Sequence, residues 1–169
     1  MANPTSGTPF QHSTVTGANF EPTEVVKIFW DSTASTDLAT PITLANGSFA
    51  ATITVPQAKL GAHTLIAVGQ TSHRTASAAF QVKPAVFLSP TSGKVGASVT
   101  MSAVGFGAGE TVAAQWSPGF SVLGSATSNA VGSAVVHFIV PSKAPGAYNV
   151  DGYGVTTKAA AAAPFTVTP

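Results

Sequence analysis

The chain has 169 residues, of which 44% are hydrophobic and only 8% charged, with a net charge of +1 and no cysteine. Soluble domains usually carry about 25% charged residues, so this apolar content excludes a disordered chain. The lack of any basic cluster argues against nucleic acid as a partner. The missing cysteines remove disulfides, thiolate metal sites and thiol nucleophiles.

Residues 1–10 contain neither the basic nor the apolar part of a signal peptide and read as the abrupt start of a repeat. Pro4-Thr5-Ser6-Gly7 leads into an expected strand over 12–18. In the next, over 24–30, Val26, Ile28 and Trp30 alternate with Lys27 and Phe29, the period of a half-buried strand with Phe29 on its outward face. A strand is also expected over 38–44. Asn46-Gly47 is a hairpin-turn signal opening a strand over 47–55, with Phe49, Ala51, Ile53 and Val55 on one face. Val55-Pro56 and Leu60-Gly61 separate it from strands over 62–69 and 75–83.

From residue 84 the pattern starts again. Pro90-Thr91-Ser92-Gly93 repeats the opening motif, and Phe20, Glu24, Val26 and Trp30 return as Phe106, Glu110, Val112 and Trp116. Gly47, Val55, Gly61, Phe80 and Val82 return as Gly132, Val140, Gly146, Phe165 and Val167. The chain is therefore two copies of one unit, 1–83 and 84–169, joined with no flexible linker. The second copy opens on an apolar strand at 84–90. The first has only Met1, Ala2 and Asn3 opposite Phe87, Leu88 and Ser89, so its first strand is short or missing and a sheet edge or groove is left partly open. Residues 158–163 have helical propensity, but their match to 73–78 and the break at Pro164 favour a final strand. Many short strands with turn signals between them, and no helical period, define an antiparallel β-sandwich.

The order Pro-Thr-Ser-Gly, Phe20, Glu24-x-Val26, Trp30, Asn46-Gly47-Ser48-Phe49, Val55-Pro56, Gly61, Phe80-x-Val82 resembles bacterial immunoglobulin-like repeats of extracellular proteins, related to IPT/TIG surface modules. The resemblance implies an all-β chain of two tandem immunoglobulin-like antiparallel β-sandwich domains, with Trp30 and Trp116 on strand C of each core. Phe20 and Phe106 are expected beside them. It implies a tyrosine corner at Tyr148, where a phenol bonds to upstream backbone; His63 stands there in the first copy and implies a looser corner. It further implies a secreted or cell-surface location. The role implied is a non-enzymatic spacer or adhesion module, with neighbouring repeats or copies of itself as partners and fibres built by strand addition. The alternative is a carbohydrate-binding accessory module of a secreted enzyme.

No catalytic constellation emerges from the residues. His12, His63, His73 and His137 have Ser98, Tyr148, Lys158 and Thr52 as repeat partners, so the unit does not require them as ligands. Glu24 and Glu110 occupy matched places at the start of a strand, which favours a turn-capping acceptor over half of a glycosidase pair. Ser92-Gly93-Lys94-Val95-Gly96 lacks the Lys-Ser/Thr pair of a phosphate loop. Asn46-Gly47-Ser48 fits a glycosylation sequon but reads first as a turn, and Lys27 faces outward, against an isopeptide crosslink. Asp31 and Asp37 are a thin basis for Ca²⁺. No cofactor and no metal are expected, nor any membrane insertion, since no apolar run nears the ~20 residues of a spanning helix. Phe10, Phe29, Phe120 and Tyr153 lie outside the expected core. Of these, Phe29 and Phe120 are the candidate ligand or partner contacts, by stacking on sugar rings or by burial in a partner.

Overall fold

The computed structural model describes residues 2–3 and 5–169, with side chains from Thr5 onward; Met1, the sequence partner of Phe87, lies outside them. Period-two alternation is realised as strands, and no helix forms among the described residues, hence none long and apolar enough to cross a membrane. The chain divides into two compact units. One comprises residues up to Pro56 together with Gly61–Val82, the other Gln57–Leu60 and Lys83–Pro169.

The first unit contains β1 (Ala2–Asn3), β2 (Ser6–Gly7), β3 (His12–Gly17), β4 (Val26–Trp30), β5 (Phe49–Thr54), β6 (Gly61–Gly69) and β7 (Thr75–Val82). They form a three-stranded sheet in the order β1-β3-β5 and a four-stranded sheet in the order β2-β7-β6-β4. Only β2 runs parallel to its neighbour, through Ser6↔Gln81 and Gly7↔Val82. The inward residues Val15, Phe49 and Ile53 of one sheet meet Val26, Ile28, Leu65, Phe80 and Val82 of the other in one core.

The second unit repeats the plan with β8 (Ala85–Ser89), β9 (Ser92–Gly93), β10 (Ser98–Val104), β11 (Thr111–Ser117), β12 (Ser121–Thr127), β13 (Ala134–Ile139), β14 (Gly146–Gly154) and β15 (Ala160–Val167). The sheets are β13-β10-β8 and β12-β11-β14-β15-β9, with β9 parallel to β15. Strict alternation in β13 turns Ala134, Val136 and Phe138 inward. They join Met101, Phe106, Trp116, Val150 and Phe165 in one cluster. Each such side chain, fully buried, stabilises the unit by about 1.5–3 kcal/mol.

The turn before β5 explains a repeated glycine. Gly47 and Gly132 have φ of 72° and 71°, and a Cβ on either would collide with the carbonyl oxygen of Phe20 or Phe106. Those same phenylalanines donate their N–H groups to the Gly47 and Gly132 carbonyls at 3.1 and 3.0 Å. Asn46 Oδ1 accepts from Ser48 N–H at 3.1 Å, so the Asn-Gly-Ser segment is a turn closed by its own side chain.

The structure departs from the sequence expectation in several places. Residues 38–44 do not form a strand: they run beside β4 with only the isolated bridges Val25↔Ile42 and Ile28↔Ala39. Pro41 accepts from Val26 N–H at 2.9 Å but has no N–H of its own to extend the ladder. Phe29, expected to face solvent, is 9% exposed. β4 is flanked by β6 on one side and by residues 38–44 on the other, so neighbouring side chains shield its outer face; Ala113 of β11 is buried likewise. Trp116 is fully buried whereas Trp30 is only half-buried. The alanine-rich segment is a strand from Ala160, and its small side chains pair with Gly152 and Val150 through Ala161 and Ala163.

Candidate functional site

Glu24 and Glu110 lie just before β4 and β11, the strands that carry Trp30 and Trp116, and each is buried, at 4% and 5% exposure. Glu24 accepts hydrogen bonds from Glu21 N–H at 2.6 Å, Thr71 N–H at 3.1 Å, Ser72 N–H at 2.9 Å and Ser72 Oγ at 2.8 Å. Glu110 does the same with Gly107 N–H at 2.5 Å, Thr156 N–H at 3.1 Å, and Thr157 through both N–H and Oγ1 at 2.9 Å. Each carboxylate thus ties its own loop to the hairpin that precedes the last strand. A hydroxyl completes the cradle: Thr43 or Ser128 accepts the glutamate's N–H and donates to the carbonyl of Glu21 or Gly107. Burial alone would raise the Glu24 carboxyl, but the backbone and hydroxyl of Ser72, with the N–H groups of Glu21 and Thr71, outweigh it and lower it from 4.5 to about 2. Glu110 is lowered in the same way: burial opposes, while Thr157, Gly107 and Thr156 prevail. Such a carboxylate is an anchor, held ionised and fully coordinated, and not a proton donor near neutral pH.

At the corner position the two units use different chemistry. Tyr148 donates its hydroxyl to Ala144 C=O at 3.0 Å, and its ring lies 5.0 Å from that of Trp116. In the first unit the expected looseness is absent. His63 is buried, stacks on Trp30 at 5.0 Å and 25°, and bonds through Nδ1 to Asp31 Oδ2 at 2.7 Å. Asp31 Oδ1 in turn accepts Thr64 N–H at 2.8 Å, and Asp31 N–H donates to Thr64 C=O at 2.8 Å. An imidazole–carboxylate pair replaces the phenol–carbonyl bond. Asp31 is therefore committed to this anchor, and no group of three His, Cys, Asp or Glu able to hold a metal occurs among the described residues.

The remaining candidates disperse. Phe120 sits in the β11–β12 hairpin at φ 51° and is 63% exposed, while Phe29 is buried, so the two do not form one aromatic surface. His12 pairs with Thr54 and His137 with Thr100, each across its own sheet, and His73 occupies a left-handed turn position. Lys27 is half-buried on β4 opposite Val68. Ser92-Gly93 forms β9, not a phosphate loop.

One concave feature of the first unit lies between its two sheets. An apolar cleft of about 160 Å³ is bounded by Val15, Thr16 and Gly17 at the end of β3, by Ala18, and by Phe49, Leu65, Ala67 and Ala78. No charged side chain lines it. Among the described residues, β1 pairs with β3 through Ala2↔Val15 and Asn3↔Thr14. In the second unit the pairing of β8 with β10 runs on through Ser102↔Phe87, Ala103↔Val86 and Val104↔Ala85. The small residues that shape the cleft, Gly17, Ala67 and Ala78, carry no signal by themselves in the sequence.

Two stacked sheets per unit, with a short early strand parallel to the last one and a Trp on β4 or β11 of the larger sheet, define a tandem pair of immunoglobulin-like β-sandwiches. The family description that matches is the macroglobulin-like domain, over residues 1–82. No curated protein matches the chain. Among solved structures, the chain is similar to the D0-D1 domain of intimin, at 15% identity over 99% of this chain and 96% of that one, with a TM-score of 0.38. It is similar to the adhesin InvE of Yersinia pseudotuberculosis at 14% identity, 99% and 58% coverage and a TM-score of 0.39. A C-terminal intimin fragment in complex with the intimin-binding domain of the translocated intimin receptor gives 16% identity, 100% and 62% coverage and a TM-score of 0.43.

Proposed function

We propose that the chain is a non-enzymatic structural or adhesion module of a secreted or cell-surface bacterial protein, working through contacts with other proteins, including further repeats or copies of itself. One observation carries this reading. The single charged residue that both copies share, Glu24 and Glu110, is enclosed in backbone and hydroxyl donors, so the repeated chemistry serves the scaffold. Two surface features also differ between the copies: the exposed Phe120 hairpin in the second and the cleft in the first. The low charge density of the chain offers little repulsion between copies. The carbohydrate reading loses Phe29 to the interior and keeps Phe120 of its two candidates.

Display of the chain on otherwise non-adherent cells tests the proposal. Increased retention on other cells or on a protein-coated surface is expected, together with a mass that grows with concentration in light scattering. Unchanged retention would sink the adhesion reading, and a constant monomer mass the self-assembly.

A further inference from the structure

We propose that Asn46 is an acceptor for an N-linked sugar, transferred to its amide nitrogen from a donor activated by a diphosphate leaving group. Asn46-Gly47-Ser48 is the single Asn-x-Ser/Thr tripeptide of the sequence in which x is not proline; Asn3-Pro4-Thr5 is ruled out by its Pro4. The turn itself does not require asparagine there. The second unit builds the same turn with Val131 at the matched position. Gly132 N–H donates to Asn129 C=O at 3.0 Å and Asn129 N–H to Ser133 C=O at 2.8 Å. In the first unit Gly47 donates to Leu44 at 2.9 Å and Leu44 to Ser48 at 2.8 Å. The two glycines share a left-handed φ, 72° and 71°. Position 46 is thus open to other residues as far as the backbone is concerned, and its asparagine is exposed.

The amide is also oriented for the reaction. Ser48 donates to Asn46 Oδ1 twice, through N–H at 3.1 Å and through Oγ at 2.6 Å. The carbonyl oxygen is thereby fixed against the turn, while Nδ2 makes no hydrogen bond among the described residues. Hydroxyl donation draws electrons toward Oδ1 and makes the Nδ2 protons easier to remove. In the transfer, Nδ2 attacks the anomeric carbon and a C–N bond forms. The bond from that carbon to the diphosphate oxygen breaks, its electron pair leaves with the diphosphate, and one Nδ2 proton passes to a base of the transferase. The second unit keeps the hydroxyl as Ser133 but gives it no amide, and Ser133 Oγ is buried without a partner among the described residues. Ile42 and Leu44, each 63% exposed, lie on the segment leading to Asn46. A hydrated sugar there adds polar bulk beside apolar surface, in a chain with few charges to keep it soluble.

Mass spectrometry of the whole chain recovered from the cells that make it, with peptide mapping, tests this. Added mass of at least one hexose or N-acetylhexosamine is expected on the peptide that contains Asn46. Asn46→Val, which copies the turn of the second unit, and Ser48→Ala should each remove that mass, while Ser48→Thr should keep it. Amide shifts of Phe20 and Gly47 that stay in place in Asn46→Val show that the turn survives and that the acceptor alone was lost. Should Asn46→Val fail to fold, the mapped peptide and the Ser48 pair still decide. An unmodified Asn46, sugar mapped only to other residues, or modification that persists in Ser48→Ala would overturn the inference. The adhesion reading stands apart from it, because cell retention of the unmodified chain is measured separately.

Discussion

Replacing Glu110 by Gln keeps the size of the side chain and removes one acceptor oxygen and the charge. In its better orientation the amide oxygen continues to accept from Thr156 and Thr157 N–H, and the new NH₂ faces Gly107 N–H, which now has no acceptor. A buried donor left unpaired costs about 1–3 kcal/mol, and two charge-assisted bonds reduced to neutral ones lose roughly 1 kcal/mol each at most. The expected loss is about 3 kcal/mol, a large part of the roughly 5–15 kcal/mol that holds a domain together. At about 4–8 °C per kcal/mol for a unit of this size, the second unit should melt some 12–24 °C lower at pH 7. Thermal melts by circular dichroism measure this, and faster amide exchange at Gly107, Thr156 and Thr157 locates it. The pH dependence has a fixed sign. Because the folded carboxyl is lowered, its contribution is present above the unfolded value of about 4.5 and is lost as pH falls through the folded value. The gap between wild type and Glu110→Gln should therefore narrow in acid. A gap below about 0.5 kcal/mol at pH 7, or one that stays constant down to pH ~2, would refute the anchoring role.

Glu24 should titrate near pH 2 by carboxyl NMR, well below an ordinary glutamate. Phe29→Ala should destabilise the first unit by about 3–5 kcal/mol, whereas Phe120→Ala should change stability by less than about 0.5 kcal/mol and alter only partner binding; denaturant midpoints distinguish the two. Asp31→Ala removes the acceptor of both His63 and Thr64 and places alanine at φ 59°, so a loss of about 2 kcal/mol is expected in the same measurement. Gly47→Ala, which drives a methyl group onto the Phe20 carbonyl at positive φ, should cost more than about 1 kcal/mol by the same midpoints.

Alternation and turn residues made most strands legible, because a residue's side of a sheet is a local property. Phe29 was misplaced because outward does not mean wet on a strand flanked on both sides. Residues 38–44 failed as a strand because Pro41 supplies only half of a ladder. The role of Glu24 and Glu110 was visible from their matched positions, but their partners were not. Thr43 matches Ser128, and Ser72 matches Thr157, so the hydroxyl is preserved while the residue changes, and the donors lie 46–48 positions away. A search for shared hydroxyls instead of shared residues would have found them. The pairing of His63 with Asp31 spans 32 positions and has no counterpart in the second copy, so comparing the repeats could not expose it.

The parallel contact between β9 and β15 has a mechanical consequence. Thr166 and Thr168 donate to the carbonyls of Thr91 and Gly93 at 3.0 Å, and in the first unit Gln81 donates to Thr5 at 2.9 Å. Tension applied between the early strand and the last strand of a unit slides these parallel segments along each other. The bonds are then loaded together in shear, where an antiparallel hairpin would peel open one bond at a time. Each unit thus carries a two-residue clamp, Ser6-Gly7 or Ser92-Gly93, at the place where pulling force is transmitted. Resistance to stretching is then expected to depend on this small patch as well as on the apolar surface the core buries.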